Sequence, residues 1–484
     1  AYIGFGQLAL AMPPTSGQGA CSGANRRSAS WPKLYATWLS TQVLPCVIYK
    51  QWKQRKEEPV WCTTTFLPAQ DSTPHATSAL ALLIALADNL PACDDLRAAI
   101  DGLPEVNVYA SADQAPEPPR GLRSSPVLIL THEAERERAF GALTFLASAY
   151  VHAGGSGSGR SSPCPGAALS AELPAGHPPL PPCAAAPPAA TTGGATPVTL
   201  PPALGGSLLR LAEALDRPPI LDYASCVLLN TVGPPQLEPE DVTIRRTFTG
   251  TESERWFYAI HVAIEAHGAR ALASIATARA AQAGGGTPDA AVLAGLRSVR
   301  DALRAAGATL KRMPERCNDA EFYSVVRPFL QGWPAGGVVY AAEGSAQTHQ
   351  GASGAQSSLL PAVDAWLGVT HARKASVSLR RSMPDAHRRC LVELEAAPSV
   401  RAFIVGLAAG RGAELRSAYN EAIREMLGFR SLHAGFAALY IRVAAQRAAR
   451  KAGVVEKEVV GTGGTDFTAF LREYADETRA VLFE

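Results

Sequence analysis

The sequence predicts an all-α protein, with a large C-terminal helical domain over 203–484 and a smaller helical domain over 76–152. Three observations carry that expectation. From Leu208 onward, apolar residues recur at helical spacing in alanine-rich sequence with few β-branched runs, which favours helix. No strand-like alternation and no dinucleotide-binding glycine pattern appears. Between the two helical regions, the Pro/Ala/Gly-rich tract 153–202 cannot bury enough side chain to offset its ordering entropy, and it reads as an insertion or linker.

Residues 1–75 stand apart. Their first acidic residue is Glu57, and Arg26, Arg27 and several serines precede it, a composition compatible with an organelle transit peptide. Residues 31–61 hold four of the seven tryptophans in a chain otherwise sparing of them, so this stretch is treated as an uncertain extension. In the smaller domain, 78–89 and 133–151 place apolar residues on helical faces. Beyond the linker, helices are expected over 208–215, 254–282, 290–306, 320–330, 357–369, 399–409, 413–451 and 466–482.

A chain of 484 residues, 47% hydrophobic, can build one large core or two domains. A net charge of +2 excludes an electrostatic binder of nucleic acid or anionic membrane. No apolar run approaches the roughly 20 residues needed to span a bilayer. Nine cysteines, odd in number and without a Cys-x-x-Cys pair, argue against a disulfide framework or structural zinc and for a reducing, cytoplasmic setting.

Several side chains stand out chemically. His433 lies on a long apolar helix with Arg430 one turn earlier, an arrangement suited to an axial haem ligand beside a propionate. The plainer alternative is a hydrogen-bonded core histidine. Phe257, His261, Ile264 and Glu265 share one face of a helix apolar nearly all round, so His261 is either a core residue paired with Glu265 or a histidine facing a bound reactant. Arg327, one turn after Tyr323, would grip a carboxylate bidentately or reach a nearby acid, and Pro328 predicts a kink beside it. The glycine- and serine-rich runs 351–358 and 461–466 let backbone approach a ligand closely, or are plain loops and caps.

Taken together, these segments resemble the indoleamine 2,3-dioxygenase family, haem enzymes that open the indole ring of tryptophan. The resemblance is strongest from about Pro218 to Glu484. It runs through 217–230 (Arg-Pro-Pro-Ile-Leu-Asp-Tyr-Ala-Ser-Cys-Val-Leu-Leu-Asn), 323–333, 351–358, 379–388, 398–403, 429–433 and 461–466, in that order. It implies His433 as the iron ligand, with Arg430 meeting a propionate while paired with Asp364. It implies Arg327 for the substrate carboxylate, and Tyr223, Cys226, Val227, Phe257, Phe322 and Tyr323 around the indole. It places Ser353 beside the haem, and Thr462 on a lid over the substrate's amino-acid end. His261 stands where animal members carry serine, and Ala352 replaces a glycine, which is expected to crowd its loop.

The implied cofactor is haem b. The implied reaction joins L-tryptophan and O2 to give N-formylkynurenine, the first step of the kynurenine pathway, with an external electron donor keeping iron ferrous. His261, Arg327 and Ser353 are the expected catalytic side chains, and a monomer is expected. The alternative within the same fold is a myoglobin-like oxygen binder, disfavoured because Arg327, Ser353 and Thr462 have no task in a carrier.

Overall fold

In the computed structural model, the described residues are 83–90, 96–101, 103, 105–108, 127–130, 133–154, 196–284, 288–340, 344–371, 377–408, 410–453 and 467–484. All belong to one compact unit, Thr41–Glu484. Residues 1–75, most of the 153–202 tract and 461–466 with Thr462 lie outside them.

The centre is a three-helix layer. Helix α5 (Glu252–Ala283) packs on α6 (Asp289–Lys311), which packs on α11 (Ala413–Ala437), more extensively than any other elements. Helix α5 starts where Thr251 accepts from the Glu254 amide at 3.3 Å, while the Glu254 carboxylate takes the amides of Phe248 (2.7 Å) and Thr249 (2.8 Å). The first satisfies a donor that a helix start leaves open, and the other two tie the incoming chain to the first turn. Helix α6 buries Val292, Leu296, Val299, Leu303, Ala306 and Leu310, one stripe at helical spacing. Beside that seam Arg297, Arg300 and Arg304 meet Glu414, Glu421 and Glu425 of α11 at 2.9, 2.7 and 2.7 Å. Such exposed pairs are worth about 0–1 kcal/mol each, so the apolar seam holds the layer and the charges help set its register.

The earlier elements share this core. Before α5 come α1 (83–88), α2 (Leu96–Asp101), α3 (Glu133–Gly154) and α4 (Pro202–Ala214). One continuous hydrophobic cluster runs from Leu83 through Phe140, Phe145 and Leu208 to Phe322 and Tyr440. Ser148 of α3 donates to the Phe329 carbonyl at 2.5 Å, and buried Arg217 binds Glu137 and Asp222 while lying over the Phe140 ring.

The all-α expectation holds, with small additions. Strand β1 (Glu105–Val108) pairs parallel with β2 (Val127–Leu130). Strand β3 (Val198–Leu200) pairs parallel with β4 (Val338–Tyr340), and β4 antiparallel with β5 (Ala346–Gln347). The expected helix 320–330 is a turn of α-helix followed by a π turn (Phe322–Val326) and a 3-10 turn (Arg327–Leu330). Pro328 supplies no N–H to an α ladder, which accounts for the change of pitch at Arg327. The expected 413–451 helix contains a π turn (Ala438–Val443) between α11 and α12 (Ala444–Ala452). After α7 (Leu359–Leu367), helices α8 (Val377–Arg381) and α9 (Asp385–Ala396) occur where none was expected; α10 (Val400–Val405) and α13 (Phe467–Arg479) complete the chain.

The loop carrying Ser353 is pressed against the segment carrying Arg327. Trp333 donates its amide to the His349 carbonyl at 3.0 Å, and a Cβ on Gly351 would lie 2.2 Å from the Leu330 oxygen. Ala352, one residue on, is buried and has no positive φ; the glycine closed in by backbone here is Gly351. Gly351→Ala should therefore cost about 1–3 kcal/mol, the usual range for overpacking against backbone that cannot yield. A urea midpoint unchanged from wild type would refute this contact.

Candidate active site

Inside the layer lies a cavity of about 840 Å³. Its wall includes His433 and Arg430 from α11, His261 and Glu265 from α5, Tyr223, Asp364 from α7, the 354–357 turn, and Tyr474 from α13. The structure thus brings five of the expected residues, Tyr223, His261, Asp364, Arg430 and His433, to one space.

His433 forms no hydrogen bond to any described residue, and it is half-buried on the cavity wall. Desolvation, reinforced by nearby His261, pushes its pKa down to about 4, so the imidazole is neutral and its lone pair is free. His261 is placed differently from the paired-core alternative. Its Nδ1 lies 2.7 Å from the Phe257 carbonyl four residues back, which makes Nδ1 the protonated nitrogen and Nε2 an acceptor. Burial lowers its pKa as well.

Glu265, the partner expected for His261, is engaged elsewhere. Its Oε1 accepts from the Tyr223 hydroxyl at 2.9 Å and from Ser357 Oγ at 2.6 Å. Desolvation raises its pKa, while those two donors pull the other way. Tyr223 heads the π turn Ala224–Leu228, and its amide donates to Gln356 Oε1 at 2.9 Å. Gln356 also takes the Ser353 amide and donates to the Gly351 carbonyl at 3.0 Å. Ser353 spends its hydroxyl as the cap acceptor for Ala355, and it is not on the cavity wall. Gln356 was missed at the sequence level, although the Ser353-x-x-Gln356 spacing is a capping box and could have disclosed it.

The aromatic residues expected around the indole form a row behind His261. The Phe257 ring lies 4.4 Å from His261 and 4.4 Å from Phe322, which meets Tyr440 edge-on at 5.9 Å. Cys226 and Val227 are buried in the π turn, and neither they nor Tyr323 and Arg327 border the cavity. Arg327 is buried at 6% exposure with its guanidinium 5.5 Å from the Tyr323 ring, and desolvation lowers its pKa.

A charged group occupies another part of the wall. Arg430 Nη2 donates to Asp364 Oδ2 at 2.6 Å, and its Nη1 donates to Thr478. Only these two bonds from a five-donor guanidinium are made to described residues, and Arg430 borders the cavity, so N–H groups remain for an anion. His371 lies beside Asp364 and Glu477, stacked on Tyr474 at 3.6 Å and 11°. These partners were not evident from sequence, because Glu477 lies 106 positions from His371.

Among the described residues no three His, Cys, Asp or Glu side chains are grouped to hold a bare metal ion. What the cavity offers is one neutral, unbonded imidazole together with an arginine that has donors to spare. That combination suits a flat prosthetic group held by one axial bond and by its acidic substituents, and it defines an all-helical protein of the cofactor-holding kind.

Comparison makes the class specific. The chain belongs to the indoleamine 2,3-dioxygenase family, whose profile matches residues 120–481. It is 32% identical over 304 residues to an indoleamine 2,3-dioxygenase of Penicillium citrinum, covering 59% of this chain and 68% of the relative. It is 30% identical over 330 residues to the Saccharomyces cerevisiae indoleamine 2,3-dioxygenase, covering 58% and 72%. With the Rattus norvegicus indoleamine 2,3-dioxygenase 1 it shares 30% over 304 residues, covering 58% and 73%.

The Glu265 tie makes a prediction about pH. A carboxyl whose pKa is raised by folding keeps its proton in the folded chain after the unfolded chain has lost it. Over that window the folded state binds more protons, so stability falls as pH rises above the ordinary carboxylate range. Glu265→Gln keeps the Oε1 acceptor and removes the titration. Against wild type, the variant should gain stability with rising pH, by up to about 1.4 kcal/mol per unit. Parallel urea midpoints from pH 4 upward would contradict this.

Proposed function

We propose that this chain is a haem-dependent dioxygenase that opens the indole ring of L-tryptophan with O2, giving N-formylkynurenine. The observation that carries the reading is His433: a neutral imidazole with no hydrogen bond, facing a cavity of about 840 Å³ in a chain of this family. Haem b, when bound, would supply the iron at which O2 is activated. His433 would hold its iron, and Arg430, steadied by Asp364, would meet an acidic substituent.

The remaining residues bind, orient and exclude water. The Phe257–Phe322 row packs against His261 without bordering the cavity, and it would back the histidine that faces a flat indole. His261, with Nδ1 bound to Phe257, turns an Nε2 acceptor toward the cavity, suited to an indole N–H. Burial pushes His261 and Glu265 each toward its neutral form on that side of the cavity. Arg327, held next to Phe322 by the π and 3-10 turns, would take the substrate carboxylate. Thr462 is assigned to the substrate's amino-acid end on resemblance alone. An external electron donor and a cytoplasmic location accompany the reading; no described helix is long and apolar enough to cross a membrane.

The direct test is to load the protein with haem, reduce it, add L-tryptophan and O2, and follow the ultraviolet absorbance of N-formylkynurenine. A protein that binds O2 reversibly and never consumes tryptophan would be the oxygen carrier instead. His433→Ala should lose stable haem binding with its helical circular dichroism intact, and an unchanged Soret band in that variant would refute the ligand assignment. Arg327→Ala should lower kcat/KM for tryptophan by about two to three powers of ten, the equivalent of roughly 2–4 kcal/mol for a charge-assisted contact. Indole substrates lacking the carboxylate should not distinguish it from wild type.

A further inference from the structure

The group around His371 has no part in the reading above except through Arg430, and its geometry is more specific than packing requires. His371 Nδ1 lies 2.6 Å from Glu477 Oε2, and Nε2 lies 3.1 Å from Asp364 Oδ2. Both ring nitrogens thus face carboxylate oxygens, one on each side of the ring. The same Asp364 Oδ2 takes Arg430 Nη2 at 2.6 Å. Asp364 and Arg430 are 4% and 5% exposed, and Oδ1 of Asp364 is buried with no hydrogen-bond partner. His371 and Arg430 therefore share one buried carboxylate oxygen. The other nearby arginine on this wall, Arg380, is already bound to Glu395.

Three of the stabilising groups come from α13: Glu477 on His371, Thr478 on Arg430, and Tyr474 stacked on the imidazole with the Arg430 guanidinium 5.6 Å from its ring. Without His371, Asp364 would answer to Arg430 alone, and Glu477 would lose the ring nitrogen it faces. Both changes leave Arg430 more tightly engaged by carboxylate and less available to an incoming anion.

We propose that His371 is a positioning residue for the cofactor's acidic substituent. By sharing Asp364 with Arg430 and bridging to Glu477, it keeps the arginine oriented and electrostatically available to a carboxylate in the cavity. It also anchors α13 to that site. The inference rests on the haem-holding reading and extends it to a residue and a helix that do not themselves hold the cofactor.

The test uses the full chain freed of haem and titrated with haemin, followed by the Soret band. Partners that orient a ligating group usually contribute ten- to hundredfold in affinity, so His371→Ala should bind haemin about ten- to hundredfold more weakly. Haemin dimethyl ester, which carries no carboxylate, should bind wild type and His371→Ala within about threefold of each other. A merely structural defect would weaken both ligands alike. The double variant His371→Ala/Glu477→Gln also removes the carboxylate left facing no ring nitrogen, and it should recover most of the lost haemin affinity. Equal haemin affinity in wild type and His371→Ala, an equal loss for the ester, or no recovery in the double variant would each overturn the inference while leaving the haem reading intact. A wild-type chain that takes up no haemin would overturn both.

Discussion

A helical core tends to close on any space inside it, because apolar side chains gain contacts by filling voids. Here about 840 Å³ stays open, and Glu265 is the residue that ties its walls together. One oxygen of its carboxyl accepts from Tyr223 on the π turn and from Ser357 on the 353–358 loop, while its backbone belongs to α5. Three segments distant in sequence are thus fixed to a single atom. Hydrogen bonds have defined length and direction, so such a tie sets a spacing that hydrophobic contact alone would not. Gln356 repeats the device one step further out, joining Tyr223, Ser353 and Gly351.

Charge is distributed unevenly around this cavity. On the His261 side, burial lowers the pKa of both histidines and raises that of Glu265, which favours neutral forms throughout. The ion pair of the wall lies elsewhere, where Arg430 meets Asp364 beside His371 and Glu477. Burying a charge is tolerable only with partners in place, and α13 supplies several of them. The C-terminal helix is therefore part of the cavity's electrostatics as well as of the fold.

Much of this was legible in the sequence, for identifiable reasons. The long helices were read to within a few residues at most ends: 254–282 became Glu252–Ala283, and 290–306 became Asp289–Lys311. Their apolar period is strong, and the first carries a Thr251-x-x-Glu254 start. The breaks were less visible. Residues 438–443 are apolar on nearly every side, so an inserted π turn leaves no trace in the pattern. Helices α8 and α9 were missed because 377–396 is basic and polar with little apolar stripe, and their ends depend on tertiary contacts such as Arg388 with Asp216. Of the site, resemblance located individual residues and could say little of who bonds whom. Glu265 looked like the partner of His261 at helical spacing, yet Tyr223 and Ser357 won it from 42 and 92 positions away.

That exchange of partners bears on how the site works. Had Glu265 taken His261, the imidazole would have been held as a charged pair with both nitrogens committed. With Nδ1 satisfied by its own helix carbonyl, His261 keeps a neutral acceptor toward the cavity at the entropic cost of little more than one side-chain torsion. A histidine here thus offers an acceptor without a charge, and neighbouring Phe257, at 4.4 Å, limits where the ring can swing. The aromatic row and the histidine act as one surface, whose polar point and flat face are set by the same helix turn.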